Sequence, residues 1–287
     1  MVVCAAGGGF DQAALLLRLA QAPAATSPDA LPASRWTLAA VRVALPALAG
    51  YSLSGVWRVL QRCGLRWRSG VVARWSPDPD FVAKLAVVVR CLHEAAVQPE
   101  RIVTLCLDEM GLTRWPTPAK TWGAAAPAPV PRATTGNSTN RPWRIGGALN
   151  VITGQVDYLD DYIVGRKQLC AFYRQLDAAY PQAERIYVIQ DNWSIHDHAD
   201  VRAMLARLPR IQRIFLPTYA SWLNPIEKLW RWLRQEVLHL HPLAADWPAL
   251  RARVQAFLEQ FGSGSVALLR YVGLLGDGQL AQVLRHV

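Results

Sequence analysis

A run of apolar, largely β-branched residues that stops abruptly on an acid occurs twice in this chain. Ile102-Val-Thr-Leu-Cys-Leu107 ends at Asp108-Glu109, and the run from Arg185 to Gln190 ends at Asp191. Runs of this length without polar alternation are buried on both faces, as central strands are in a sheet covered by helices. Gly111 to Arg114 and Lys120 to Gly123 read as short strands after the first run. A hairpin pattern then covers Trp143 to Ile152 and Gln155 to Val164, turning at Gly154. Helical patterns occupy Gly165 to Tyr180, His196 to Leu208 and Asn224 to His239, with a further strand at Ile211 to Leu216. This order predicts an α/β domain, a mixed sheet flanked by helices. If the two acid-terminated strands are parallel neighbours joined through the 166–180 crossover, Asp108 and Asp191 emerge together at one sheet edge.

A third acid belongs to the stretch LPTYASWLNPIEKLWRW, Leu216 to Trp232. Asn224 suits a helix N-cap and Pro225 the first helical position, where its missing N–H is no loss. Leu223, Ile226, Leu229, Trp230, Leu233 and Val237 then share one face, with Glu227 at its edge. Two readings of Glu227 stand side by side. It can fold back on the cap N–H and pair with Arg231 one turn on. Alternatively, it can face a cleft and complete a triad with Asp108 and Asp191. Three converging carboxylates repel and raise one another's pKa values, a conflict that divalent cations remove. Oxygen ligands alone suit Mg²⁺, which keeps several waters, and no His- or Cys-rich zinc pattern is present. Two such ions serve in-line displacement at phosphorus.

The net charge of +10 favours a polyanionic partner. Residues 57–74 hold Arg58, Arg62, Arg66, Arg68 and Arg74 without an acid, and 110–156 hold Arg114, Lys120, Arg132, Arg141 and Arg144, again without one. Residues 1–34 are weakly patterned, with a short helix at Asp11 to Gln21 and an Ala/Pro/Ser linker. In 35–75, Thr37 caps one helix running to Gly50, with Pro46 awkwardly inside it, and Ser52 or Ser54 caps a second that stops at Gly64. The pair reads as a helix-turn-helix whose second helix presents Ser54, Trp57, Arg58, Gln61 and Arg62, followed by Arg66 and Arg68. An ordinary helical hairpin with a basic face is the alternative. Residues 76–99 read as linker and connecting helix, 100–245 as the α/β domain and 246–287 as terminal helices. Five scattered cysteines with no CxxC pair point to core residues of a reduced, cytosolic protein. No apolar run spans a bilayer, and the N-terminus lacks a secretion signal.

Asp108-Glu109, the string Val188-Ile-Gln-Asp191-Asn192-Trp-Ser-Ile-His196 and Leu216-Pro-Thr-Tyr-Ala-Ser-Trp-Leu-Asn-Pro-Ile-Glu227-Lys-Leu-Trp230 resemble the three catalytic blocks of DDE transposases, in the branch of bacterial insertion sequences related to mariner elements. The spacings, 83 residues from Asp108 to Asp191 and 36 on to Glu227, are similar too. Trp36-Thr37 and the SPDP at 76–79 resemble the family's N-terminal part, so the likeness covers about residues 35–245. It implies a ribonuclease H-like fold behind a helix-turn-helix domain, and cleavage and joining of DNA strands at element ends with two Mg²⁺ or Mn²⁺ ions. Asp108, Asp191 and Glu227 match the metal ligands. Asn192 and His196 match positions that orient the second ligand or a phosphate, Asn224 the position where cap and functional roles overlap, and Glu109 an acid outside the metal shell. The implied partner is double-stranded DNA, held by Arg58, Gln61, Arg62, Arg66 and Arg68, with a homodimer on the ends, in the bacterial cytoplasm at the nucleoid. The family commonly carries two helix-turn-helix units and this chain offers one, so relaxed end selection is expected. Competing expectations are a decayed transposase that only binds DNA and a cellular ribonuclease H-like nuclease or resolvase.

Overall fold

The computed structural model describes residues 36–67, 75–121, 132–135, 139–140, 142–161 and 164–276. Arg68, Arg74, Arg141 and the expected helix at Asp11 to Gln21 lie outside them. The chain divides into two compact units with the boundary between Ala73 and Arg74.

In the first unit, Thr37 Oγ1 accepts from the Ala40 N–H at 3.1 Å and starts α1, Leu38–Ala44. The single helix expected to reach Gly50 is broken. A residue before proline is pushed out of the helical region, and Leu45, ahead of Pro46, has φ −120° and ψ 97°. Pro46–Leu48 forms a separate 3₁₀ turn. Ser52 Oγ then caps α2, Leu53–Arg62, by accepting from the Gly55 N–H at 3.1 Å. The chain leaves through Gly64 at φ 76°. Val41, Leu45, Leu48, Val56 and Val59 form the small core of this unit.

The second unit is built on a five-stranded sheet in the order β3-β2-β1-β4-β5. The strands are β1 Ile102–Thr113, β2 Pro142–Asn150, β3 Val156–Asp161, β4 Arg185–Gln190 and β5 Ile211–Phe215. As expected, β2 and β3 form an antiparallel hairpin, and β1 lies parallel to β4. Asp108 is not at the end of its strand, however. β1 continues through Gly111 to Thr113, held by β2 from Leu105↔Asn150 to Thr113↔Pro142, while β4 accompanies it only from Ile102 to Cys106. The strand expected to begin at Lys120 does not form at Lys120 and Thr121.

Helices cover both faces, because successive side chains of these apolar strands point opposite ways. On one face Leu105, Leu107 and Val188 pack with Leu169, Phe172, Tyr173 and Leu176 of α4, Arg166–Ala179, and with Val201 and Met204 of α5, Ala199–Leu205. The expected helix at 196–208 is thus split, with a 3₁₀ turn at Ser194–Asp197 ahead of α5. On the other face Cys106, Met110, Ile145 and Ile189 meet α3, Phe81–Val97, and α6, Ile226–Leu233. The same core takes in α7, Trp247–Glu259, and α8, Val266–Val272. Beyond α6 the chain continues as a π turn, Arg234–Leu238. Cys91, Cys106 and Cys170 are buried thiols, in keeping with their reading as core residues. Among the described residues no helix is long and apolar enough to cross a membrane.

Candidate active site

Asp108 lies where β1 outruns β4, and its side chain turns toward α6. Trp230 Nε1 donates to Asp108 Oδ2 at 3.0 Å. The indole reaches it because Gly147 stands opposite Asp108 in the register, and a Cβ on Gly147 would sit 2.5 Å from Trp230 Cη2. Burial first, then the charge of Glu227, and then Glu109 and Asp191 push the Asp108 carboxyl up to about 7. Glu227, Glu109 and Asp191 therefore lie within electrostatic reach of Asp108.

Asp191 follows β4 and is 46% exposed at its side chain. Its Oδ1 accepts from the Trp193 N–H at 3.0 Å and pairs with His196 Nδ1 at 3.2 Å. The His196 N–H holds the Asp191 carboxyl below the usual range. The opposite imidazole nitrogen, Nε2, lies 2.9 Å from Glu109 Oε1. His196 is completely buried and Glu109 only 6% exposed. Burial disfavours the imidazolium, but the two carboxylates outweigh it and push His196 up to about 10. Asn192 does not reach a carboxylate. Its Nδ2 donates to the Leu216 carbonyl at 2.8 Å and reaches Thr218 Oγ1 at 3.5 Å, tying the two loops together.

Asn224 is not a helix cap. It ends the 3₁₀ turn Ser221–Leu223, and Pro225 precedes α6 without a side-chain cap. The Asn224 Nδ2 donates at 2.8 Å to the Leu107 carbonyl, next to Asp108, and its buried Oδ1 has no hydrogen-bond partner among the described residues. β4 has already parted from β1 at Leu107, so a carbonyl there draws the amide away from local capping. Glu227 is accordingly free of a capping box, and among the described residues it forms no ion pair with Arg231. The capping reading falls, and Glu227 is left at the half-buried edge of α6 facing the Asp108 side.

Local sequence reasoning missed three supports. Trp230 was legible only as a core residue, and Glu109 gave no hint of its His196 bond. The third is Asp78, buried just ahead of α3, whose carboxylate accepts from Lys84 Nζ at 2.8 Å, the Asp80 N–H at 2.9 Å and the Thr218 N–H at 2.7 Å. Lys84 first and then the Thr218 N–H hold its carboxyl far below the usual range. Ser76 Oγ donates to the Thr218 carbonyl at 2.5 Å, so the loop after β5 is fastened through both backbone polar groups of one residue.

In the first unit Arg58 and Arg62 are exposed on α2, while Gln61 Oε1 accepts from Arg66 Nη1 at 2.6 Å. In the second basic stretch Arg114 is turned inward and donates to the carbonyls of Ala244 and Ala245. Arg144 instead lies 5.7 Å over the Trp193 ring, beside Asp191.

Among the described residues no three His, Cys, Asp or Glu side chains are drawn together as a ready-made metal shell. The donor set still fits Mg²⁺ or Mn²⁺, which bind through one or two carboxylates and complete their shells with water and phosphate oxygens. The Asp108 carboxyl is raised first by burial and then by the neighbouring acids, a conflict that a bound cation would relieve.

Residues 103–250 match the family model described as DDE superfamily endonuclease. The chain is 25% identical over 228 residues to an uncharacterized 39 kDa protein of insertion element IS630 from Shigella sonnei, covering 79% of this chain and 64% of that protein. It therefore spans less than two thirds of that relative's length. Among solved structures, the Mos1 transposase paired-end complex with left transposon end matches 96% of this chain and 78% of its own at a TM-score of 0.58 and 16% identity. The Mos1 mariner paired end complex with Mn matches 100% and 79% at 0.59 and 16%. At that identity the likeness is one of fold, and it bears out the expected ribonuclease H-like sheet preceded by helices.

Proposed function

Because the chain belongs to the DDE superfamily endonucleases, we propose that it is a transposase that cleaves DNA at the ends of an insertion sequence and joins the strands to a target. The observation that supports this reading is the Asp108 carboxyl, raised first by burial and then by the charges of Glu227, Glu109 and Asp191 around it. Asp108, Asp191 and Glu227 would hold two Mg²⁺ or Mn²⁺ ions, which when bound supply a stronger nucleophile and neutralise charge at phosphorus.

The protein's own residues do the placing. Trp230 fixes Asp108 through Oδ2, and the Glu109–His196 pair fixes Asp191 through Oδ1. A side chain whose rotamer is locked from behind presents its remaining oxygens in one direction, which is what positioned catalysis needs. Arg58, Arg62, Arg66 and Arg68 with Gln61 hold duplex DNA, and two copies of the chain meet on paired ends. Asn192 and Asn224 position loops rather than touch substrate.

The test is nicking of a plasmid carrying the element's flanking DNA, with Mg²⁺. Asp108→Asn, Asp191→Asn and Glu227→Gln should each lower nicking at least about 100-fold while the protein still binds duplex. Nicking by Glu227→Gln at the parental rate, or nicking that persists in chelator, would falsify the assignment.

A further inference from the structure

Pro217 to Ala220 is a tight turn closed by the Ala220 N–H donating to the Pro217 carbonyl at 3.1 Å. Of its two central residues only Tyr219 has positive φ, at 55°. That is the pattern of a type II turn, whose third position ordinarily belongs to glycine. A tyrosine there is strained, and burial does not offset the strain, because Tyr219 is 80% exposed. Among the described residues its hydroxyl has no hydrogen-bond partner and its ring stacks on no other. The turn itself is locked by Asp78 and Ser76 on Thr218 and by Asn192, the residue after Asp191, on Leu216 and Thr218. The fold thus pins the backbone that carries this exposed aromatic ring, in a turn tied to the residue after Asp191.

We propose that Tyr219 is a nucleobase-stacking residue that takes an unpaired base of the DNA strand lying at Asp191. This rests on the reading of the chain as a DNA-cleaving protein. Every base has a π-face, so stacking tolerates any sequence, and a ring on a stiff stem loses little entropy on contact. The surroundings suit a nucleic-acid strand: the Arg144 guanidinium lies over the ring of Trp193, two residues after Asp191, and the chain carries a net charge of +10.

The experiment uses the full chain in chelator. The probes are a duplex of about 20 base pairs ending in a short single-stranded tail, with 2-aminopurine as the first unpaired base, and a blunt duplex of the same length. Tyr219→Ala and Tyr219→Gly should bind the tailed duplex about 5- to 150-fold more weakly and lose the quenching of 2-aminopurine, with blunt-duplex binding unchanged. Tyr219→Phe should match the parent in both. Tyr219→Gly should melt no lower than the parent, since glycine relieves the strained φ. Parental affinity for the tailed duplex in Tyr219→Ala overturns the proposal, as does a Tyr219→Phe that fails with it. A Tyr219→Gly that melts well below the parent also overturns it, because the ring is then structural. A parent protein that binds neither duplex removes the DNA reading itself, an outcome distinct from the loss of the tail preference alone.

Discussion

Asp108 carries its neighbours' charge in its titration. Its folded pKa of about 7 lies above the ordinary value of 3.8, so the metal-free folded state binds its proton more tightly than the unfolded chain does. The stability this contributes is fully present below about pH 4 and is lost as pH rises through about 7. Asp108→Asn should therefore be more stable than the parent at about pH 8 in chelator, with the gap closing toward pH 5, and urea melts at the two pH values check it. Asn224 works differently. An aspartate there loses the donor to the Leu107 carbonyl and adds a buried negative charge near Asp108, so Asn224→Asp should cost about 3 kcal/mol in the same melts. Asp108 and Asp191 stood out because a carboxylate that stops an apolar run has no packing reason to be there, whereas Glu227 on local sequence alone read equally as a capping residue. The role of Asn224 was not. Asn before Pro at a helix start obeys a local capping rule, and a carbonyl more than a hundred residues away in sequence overrides it.

Between elements, the contact of α6 with β2 sets the site's depth. Gly147 is required by the Trp230 ring and not by any turn, since its Cβ would fall within 3 Å of two ring carbons. Gly147→Ala should destabilise by about 1–3 kcal/mol and lower nicking at unchanged DNA affinity, because the indole that holds Asp108 is displaced. A variant that nicks normally would show that the Trp230 bond to Asp108 is dispensable. On the proposed function the outward arginines of α2 serve DNA binding and not the chemistry. Arg58→Ala with Arg62→Ala should reduce the slope of log affinity against log salt by about 2, with nicking of bound DNA retained. Periodicity gave the type of the five strands and the main helices and the cap at Thr37, with Ser52 one of two cap candidates, but it also offered a strand at Lys120 that does not form there. What periodicity hid were the lengths: β1 outruns its reading because β2, an antiparallel neighbour, holds Gly111 to Thr113 in the ladder after the parallel neighbour has ended. The break at Leu45 was visible in Pro46, whose effect falls on the residue before it.

Across the second unit, the sheet has helices on both faces and the candidate site sits at the step where β1 loses β4. That step has a consequence for how the molecule breathes. Backbone groups of Leu105 and Cys106 are laddered on both sides, those of 102–104 lie along β4 with the Thr104 carbonyl taken by the Val151 N–H, and those of 107–113 have β2 alone, apart from the Leu107 carbonyl caught by Asn224. Isotope exchange of amide protons should divide at that point. Leu105 and Cys106 should open only with global unfolding, while the amides of 107–113 that face away from β2 should exchange through local excursions. Uniformly slow exchange along all of β1 would contradict this. Mg²⁺ and DNA should slow the second set and leave the first unchanged, so that binding stiffens the stretch of the central strand that leads away from Asp108.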